Sequence, residues 1–163
     1  MSNQSVISQN QSLYEQDFNL WLEITINQIQ NYQFNQIDWE HLLLELSDMG
    51  KSDKRQFISN FVILIAHLLK LKIQFDAPES MQASWYNSID EHRDRIHQDL
   101  LENPSFKNFL DLAINTAYPR ARNLAIKEGK RAAKTMRKPQ ENEYPTECPF
   151  TIDQLLDYDY YVN

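Results

Sequence analysis

Apolar residues recur at helical spacing in the first part of the chain. Between Ser12 and Gln30 they return every three or four positions, which predicts a helix with one buried face: Tyr14, Phe18, Trp21, Leu22, Thr25 and Ile29. The polar run over residues 31–36 ends this helix. Residues 1–11 are polar, and we expect them to form a flexible N-terminal tail.

Two further helices are predicted on either side of a glycine. Asp38 is a good N-cap residue, because its carboxylate accepts the free N–H groups of the first turn. Gly50 is expected to end that helix, since glycine adopts positive φ without strain. The inward residues are Trp39, Leu42, Leu43, Leu46 and Met49. The next helix, 53–73, is apolar on most sides, which is typical of the centre of a bundle.

The second half of the chain predicts three more helices and an arm. Ser84 caps a fourth helix that ends at Pro104, and Ser105 caps a fifth. Pro119 is expected to kink or restart the helical run, and a basic sixth helix follows to about residue 138. Three prolines then predict an extended arm (Pro139, Pro145, Pro149). Thr151 and Gln154 form a capping-box pattern for a last short helix.

These elements predict an all-α fold in one domain. We expect a bundle of five to six helices around a central apolar helix, with an extended C-terminal arm. The predicted divisions are a flexible tail over 1–11, a helical bundle over 12–138 and a proline-containing arm over 139–163, packed on the same domain. The chain has 163 residues and only two glycines, which favours helices over sheets.

Composition points to a soluble, cytoplasmic protein. Cys148 is the only cysteine, so no intramolecular disulfide forms, which suits a reducing compartment. The N-terminus lacks the apolar core of a signal peptide. The longest apolar stretch, 61–69, is too short and too polar to span a bilayer, so we expect no membrane partner.

Charge is unevenly distributed along the chain. The net charge is −7, yet residues 120–138 contain eight Lys/Arg and one Glu. On the predicted sixth helix the cations form a positive stripe, which is a candidate binding patch: Lys127, Lys130, Arg131, Lys134, Arg137 and Lys138. Such a stripe binds nucleic-acid phosphates, binds an acidic protein surface or a second copy of the chain, or simply contacts solvent.

Four residues form a candidate polar network: Glu45, His67, Trp85 and Arg93. Buried polar groups normally satisfy one another, so a structural network is the first interpretation. The alternative is an enzyme pocket in which Glu45 and His67 act as acid and base. His41 and Glu45 lie four residues apart, but no spacing matches a known metal site, so we predict no metal and no cofactor. No catalytic residue is assigned.

Several fragments, taken in order, resemble a known family. They are residues 13–21, Asp38-Trp39, Glu45 with Met49-Gly50-Lys51-Ser52, residues 67–70, Ser84-Trp85 with Arg93, Asn103-Pro104-Ser105, residues 144–150 and Gln154-Leu155-Leu156. Together they resemble the bacterial, largely cyanobacterial, family called domain of unknown function 29. The resemblance implies an all-helical bundle and no known activity. The basic run after Glu128 departs from the pattern of that family.

The sequence therefore favours surfaces over chemistry. The first functional hypothesis is a protein-interaction or self-associating module. The alternatives are a nucleic-acid-binding protein that uses the basic helix 120–138 and an enzyme with a pocket around Glu45, His67 and Arg93. A protein partner or second copy is expected, nucleic acid stays open, and the sequence does not identify a small-molecule ligand.

Overall fold

The computed structural model describes residues 3–131 and 137–162, and within these ranges it is all-α, as the sequence predicts. The α-helices are α1 (Asn3–Gln16), α2 (Phe18–Gln30), α3 (Trp39–Ile73), α4 (Glu79–Glu102), α5 (Leu110–Lys130) and α6 (Ile152–Leu156). Short 3-10 helices span Phe34–Gln36, Pro104–Phe109 and Glu141–Glu143. The described residues contain no β-strand. The fold class is thus an all-α helical bundle.

The chain divides into two compact units. The first unit comprises residues 1–52 and the second comprises residues 53–163. The first contains α1, α2 and the beginning of α3, and the second contains the rest of α3 with α4, α5 and α6.

A helix replaces the predicted N-terminal tail. Residues 1–11 contain few apolar side chains, yet α1 begins at Asn3. Asn10 is buried, and its side-chain amide donates to the Gln36 carbonyl oxygen at 3.2 Å. Asp17 separates α1 from α2 and caps α2, because its carboxylate accepts the backbone N–H of Leu20 at 3.1 Å. A buried amide contact, invisible to apolar periodicity, fixes this segment.

The two helices predicted around Gly50 are one continuous helix, so the expected stop at Gly50 is wrong. Gly50 does not adopt positive φ, and a helix C′ glycine needs that conformation to end a helix. The residues around it are Met49, Lys51 and Ser52, none of which breaks a helix. The result is a helix of 35 residues.

The core of the second unit forms around the apolar part of α3. The large buried side chains on that helix include Phe57, Phe61, Leu64, Ile65, Leu68 and Leu69. Trp85, Ile89 and Ile96 of α4 join the same apolar cluster, as do four alanines of α5 spaced by four residues: Ala113, Ala117, Ala121 and Ala125. This is the central apolar helix that the sequence predicts.

The fourth helix begins earlier than predicted. Ser84 lies inside α4, which begins at Glu79 directly after Pro78, so the predicted cap at Ser84 is wrong. Nothing in residues 79–83 breaks a helix, and these residues extend it by more than one turn. The predicted end is confirmed, because α4 stops at Glu102, shortly before Pro104.

Pro119 lies inside α5, so the predicted division into a fifth and a sixth helix is wrong. Proline lacks the N–H that continues the helical hydrogen bonds, but burial of the α5 alanines holds the helix together on both sides of it. The predicted cap at Ser105 is also wrong, because a 3-10 helix precedes α5. The helix ends at Lys130, and residues 132–136 lie outside the described part of the chain.

Length and composition alone would allow α3 to cross a membrane. However, 61% of its most apolar 18-residue window is buried inside the protein. This burial is consistent with the core helix of a soluble protein.

Candidate interaction surface and polar clusters

Arg93 holds the C-terminal segment of the second unit. Its side chain is 0% exposed and donates to three backbone carbonyl oxygens, those of Leu155 at 3.0 Å, Tyr158 at 3.4 Å and Tyr160 at 2.9 Å. Its guanidinium also lies 5.6 Å from the ring centre of Tyr161. Burial lowers the pKa of Arg93. All three nitrogens of the guanidinium thus bind the backbone, which is an anchoring role.

Arg122 anchors the preceding part of the same segment. Its Nε donates to the Pro145 carbonyl oxygen at 2.9 Å, and its Nη2 donates to the Glu141 carbonyl oxygen at 3.0 Å. The Tyr118 hydroxyl donates to the same Pro145 oxygen at 2.6 Å, and burial raises the pKa of Tyr118 to about 12. Two arginines on two helices therefore attach the C-terminal segment, and no pattern in the sequence indicates either contact.

His67 binds its own helix. Its Nδ1–H donates to the Ile63 carbonyl oxygen at 2.9 Å. Burial lowers the pKa of His67, and the nearby Lys70 ammonium lowers it further. Both effects favour the neutral imidazole. Its Nε2 atom takes no part in the hydrogen bond to Ile63.

Lys70 packs against Trp85, and its charge lowers the pKa of His67. The Lys70 ammonium is buried, forms an ion pair with Glu128 of α5 and lies 5.0 Å from the ring centre of Trp85. A buried cation needs a partner of this kind, because desolvation of a lone charge is very unfavourable. Neither Lys70 nor Glu128 belonged to the predicted network. Their positions, 58 residues apart in the chain, gave no sequence signal.

A second polar cluster joins α3 to α4. The buried Asn60 side-chain amide donates to Asp99 at 3.3 Å, and the Nδ1–H of His92 donates to the Asn60 side-chain oxygen at 3.0 Å. Burial lowers the pKa of His92 and raises that of Asp99. The two hydrogen bonds of the Asn60 side chain therefore connect α3 to α4.

Glu45 belongs to the first unit, whereas His67, Trp85 and Arg93 belong to the second. Glu45 accepts a 2.5 Å hydrogen bond from the Tyr14 hydroxyl, and this bond is the main cause of a raised Tyr14 pKa. The Tyr14 ring stacks on His41 at 3.9 Å between ring centres. His41 in turn binds the buried Asp38 carboxylate, with 2.6 Å between Nδ1 and Oδ2.

The four predicted members of the polar network therefore have three different sets of neighbours. The Lys70 ammonium lies over the Trp85 ring and lowers the pKa of His67. Arg93 donates to backbone carbonyl groups, and Glu45 accepts from a tyrosine hydroxyl. Within residues 3–131 and 137–162, no group of three or more His, Cys, Asp or Glu side chains is placed to hold a metal ion. Cys148 is half-buried, and burial raises the pKa of its thiol, which disfavours the reactive thiolate.

The basic patch extends over helix and coil. Lys127, Lys130 and Arg131 lie at the end of α5, where they border a groove of about 410 Å³ together with Asn123, Ile126 and Glu141. The ammonium of Lys130 lies 4.0 Å from the Glu141 carboxylate. These three cations are the part of the predicted stripe that remains helical or caps the helix.

The remaining patch residues differ from that prediction. Arg137 and Lys138 lie in coil, and Lys134 falls outside the described residues. Arg137 forms a 2.6 Å ion pair with Glu143 and donates to the Ile73 carbonyl oxygen at 2.6 Å. The hydrogen bond to Glu143 raises the pKa of Arg137. Because its guanidinium is already bound, Arg137 does not extend a free positive stripe.

Large apolar side chains are exposed mainly in the first unit. Of the 17 such side chains in the described part of the chain, 12 lie between residues 18 and 49, and we call these the 18–49 apolar surface. Its members are Phe18, Leu20, Leu22, Ile26, Ile29, Tyr32, Phe34, Trp39, Leu43, Leu44, Leu46 and Met49. These residues are close in sequence and belong to one unit. Contiguous exposed apolar patches are typical of interaction sites, whereas single exposed apolar residues are normal.

Several of these residues were predicted to face inward. Trp39, Leu43, Leu46 and Met49 are 48%, 60%, 56% and 64% exposed, and Phe18, Leu22 and Ile29 are exposed as well. The helical spacing identified an apolar face correctly, but spacing does not specify what covers that face. Leu42 alone among the inward set on α3 is half-buried.

Comparison with known proteins gives a family and no activity. Residues 13–161 match the family model described as domain of unknown function DUF29. No curated protein and no solved structure matches the chain. Because the match covers nearly the whole sequence, the resemblance seen in its motifs is confirmed, and the chain belongs to the DUF29 family.

Proposed function

We propose that this protein is a protein-interaction module that works through the 18–49 apolar surface. The observation that carries the proposal is the concentration of exposed large apolar side chains in the first unit. Water contact with so many apolar groups is unfavourable, at about 25 cal/mol per Å² of apolar area. Covering this surface with another protein removes that penalty.

The charge of the same region favours a protein partner over a membrane. Residues 1–50 contain seven Asp/Glu and no Lys/Arg. Apolar helices that bind membrane surfaces usually carry Lys and Arg, which attract anionic lipid headgroups. An acidic surface is repelled by such headgroups. We therefore propose a soluble protein that acts in the cytoplasm and binds a partner or a second copy of itself.

A charge placed in the 18–49 apolar surface tests this proposal. Leu43 and Leu112 are both 60% exposed, but Leu43 belongs to this surface and Leu112 lies on α5. Leu43→Lys should abolish association, measured by sedimentation velocity and by quantitative affinity purification, while Leu112→Lys should leave both unchanged. A wild-type protein that is monomeric at every concentration and retains no protein would contradict the proposal.

Nucleic-acid binding is a second candidate, supported by the groove that Lys127, Lys130 and Arg131 border. A triple change of these residues to Gln should remove any electrophoretic shift of RNA or DNA. Binding through phosphates should also weaken steeply as salt rises, whereas association through apolar contacts should not. Absence of a shift with the wild-type protein at low salt would eliminate this candidate.

A further inference from the structure

One stretch of α3 is exposed to solvent at nearly every residue. Every residue from Leu43 to Gln56 is exposed except Glu45, which is half-buried. The residues Trp39, Leu43, Leu46 and Gly50 follow one another at steps of four, three and four, and we call them the α3 stripe. This spacing is the seam by which helices pair in coiled coils. A helical stretch with an uncovered seam gains stability when a second helix covers it.

Gly50 has no role within the described chain that requires glycine. Its φ is not positive, and a Cβ atom built on it would meet nothing within 4 Å. Glycine inside a helix is nevertheless unfavourable by about 1 kcal/mol relative to alanine. The contrast with Gly129 is direct, since a Cβ there would come within 2.6 Å of the Tyr144 hydroxyl. Gly50 leaves an open notch on the outside of α3.

We propose that the α3 stripe pairs in antiparallel orientation with the α3 stripe of a second copy; this inference rests on the proposed interaction function. In this pair the two helices run in opposite directions, and the midpoint of the contact lies between Leu44 and Glu45. Leu43 of each copy then lies opposite Leu46 of the other. The same arrangement also places the large Trp39 indole opposite the notch at Gly50. A parallel pair would instead bring together two indoles at one end and two glycines at the other, with a clash and a void.

Residues that flank the seam agree with this register. Antiparallel pairing brings the half-buried Leu42 of one copy next to Met49 of the other, which is 64% exposed. On the opposite flank, Glu40 lies within one turn of Lys51 on the second copy. Lys51 is the only Lys or Arg in residues 1–52. Its ion pair with Asp48 is exposed on both sides, so it is readily exchanged. Because the pair has two-fold symmetry, the contact between Glu40 and Lys51 forms twice.

The expected complex is weak. Twelve residues of α-helix span about 18 Å, which gives an interface at the small end of the range for specific complexes. Dissociation constants in the micromolar range are therefore expected. Association should withstand added salt, because most of the contact is apolar.

Disulfide capture tests the register. In a Cys148→Ser background, Leu43→Cys and Leu46→Cys are prepared as separate proteins with tags of different mass, then mixed and mildly oxidised. Antiparallel pairing predicts a mixed 43–46 disulfide several-fold above either self-disulfide, since only opposed positions bring Cα atoms within the required distance, about 4.4–6.8 Å. Leu112→Cys serves as the control for random collision. Circular dichroism verifies that each variant is folded.

A substitution in the notch gives an independent readout. Gly50→Phe should weaken self-association at least tenfold, whereas Gly50→Ala should weaken it less because its side chain is small. Predominant 43–43 and 46–46 disulfides, or no disulfide above the Leu112→Cys control, would overturn the pairing. If Leu43→Lys still abolishes binding of other proteins in that case, the proposed function stands and only the second copy as partner is eliminated.

Discussion

The two units differ in whether their buried polar atoms have partners and in how far their large apolar side chains are exposed. In the second unit, buried Arg93 and Lys70 have partners and the large apolar side chains are mostly enclosed. In the first unit, three buried atoms of α2 lack a hydrogen-bond partner within the described chain, namely Trp21 Nε1, Thr25 Oγ1 and Gln28 Oε1. The 18–49 apolar surface belongs to the same unit. Among the described residues, the second unit therefore pairs its buried side-chain polar atoms, whereas the first contains both unpaired buried atoms and an exposed apolar surface.

Charge follows the same division. The first unit has seven Asp/Glu and one Lys/Arg, whereas the second has 16 and 15. The basic run over residues 120–138 lies in a nearly neutral unit, where Arg122 and Arg137 are engaged in local contacts. The net charge of −7 therefore arises almost entirely from the first unit.

Removal of the Arg93 anchor should have the largest effect. Arg93→Met leaves three carbonyl oxygens without their donor, and we expect a loss of about 3 kcal/mol in the free energy of unfolding, measured in urea. Arg95→Met is the matched control on α4, because Arg95 forms an exposed ion pair with Glu91 whose loss should change little. Equal stability of the two variants would remove the anchoring role from Arg93.

Acid should weaken the second unit through two of its half-buried histidines. Burial lowers the pKa values of His67 and His92 in the folded protein. At acidic pH the unfolded chain therefore binds more protons at these histidines than the folded chain does. Stability is complete above the unfolded pKa, about 6.5, and falls as pH decreases below it, by at most about 1.4 kcal/mol per pH unit for each histidine.

Unfolding titrations between pH 7 and pH 5 measure this slope. The double variant His67→Gln and His92→Gln should show a flatter dependence than the wild-type protein. Asp99 acts in the opposite direction, because its raised pKa favours the folded state at lower pH. A wild-type slope that the double variant reproduces would show that other groups bind the protons.

The smallest effect is expected at an unsatisfied atom of the first unit. Thr25→Val removes the buried hydroxyl that has no partner in the described chain and keeps the shape of the side chain. We expect unchanged stability or a gain of up to about 1 kcal/mol. A loss of more than about 1 kcal/mol would indicate that this hydroxyl has a hydrogen-bond partner in solution.

Sequence reasoning predicted the elements whose causes are local. The capping box of Thr151 and Gln154 is present at α6, with reciprocal bonds of 3.2 Å and 2.9 Å. The apolar run of α3 predicted the core correctly, because a helix that is apolar on most sides has to be buried. The family resemblance was also readable from short motifs in order.

The remaining features depend on distant contacts. Gly50 ends a helix only when its backbone adopts positive φ, and residue identity alone does not determine φ. The partners of Arg93 lie more than 60 residues away, so no spacing indicated them. The apolar face at Leu43 was recognised, but a pattern reports that a face is apolar without reporting whether the same chain covers it.

Hydrogen exchange at two protein concentrations tests the central claim most directly. Mass spectrometry would compare amides of residues 39–52 with amides of residues 57–69, at concentrations far below and far above the micromolar range. We predict that exchange in 39–52 slows at high concentration and that exchange in the core segment does not change. Identical exchange of 39–52 at both concentrations, without any added partner, would contradict an α3 interface between copies.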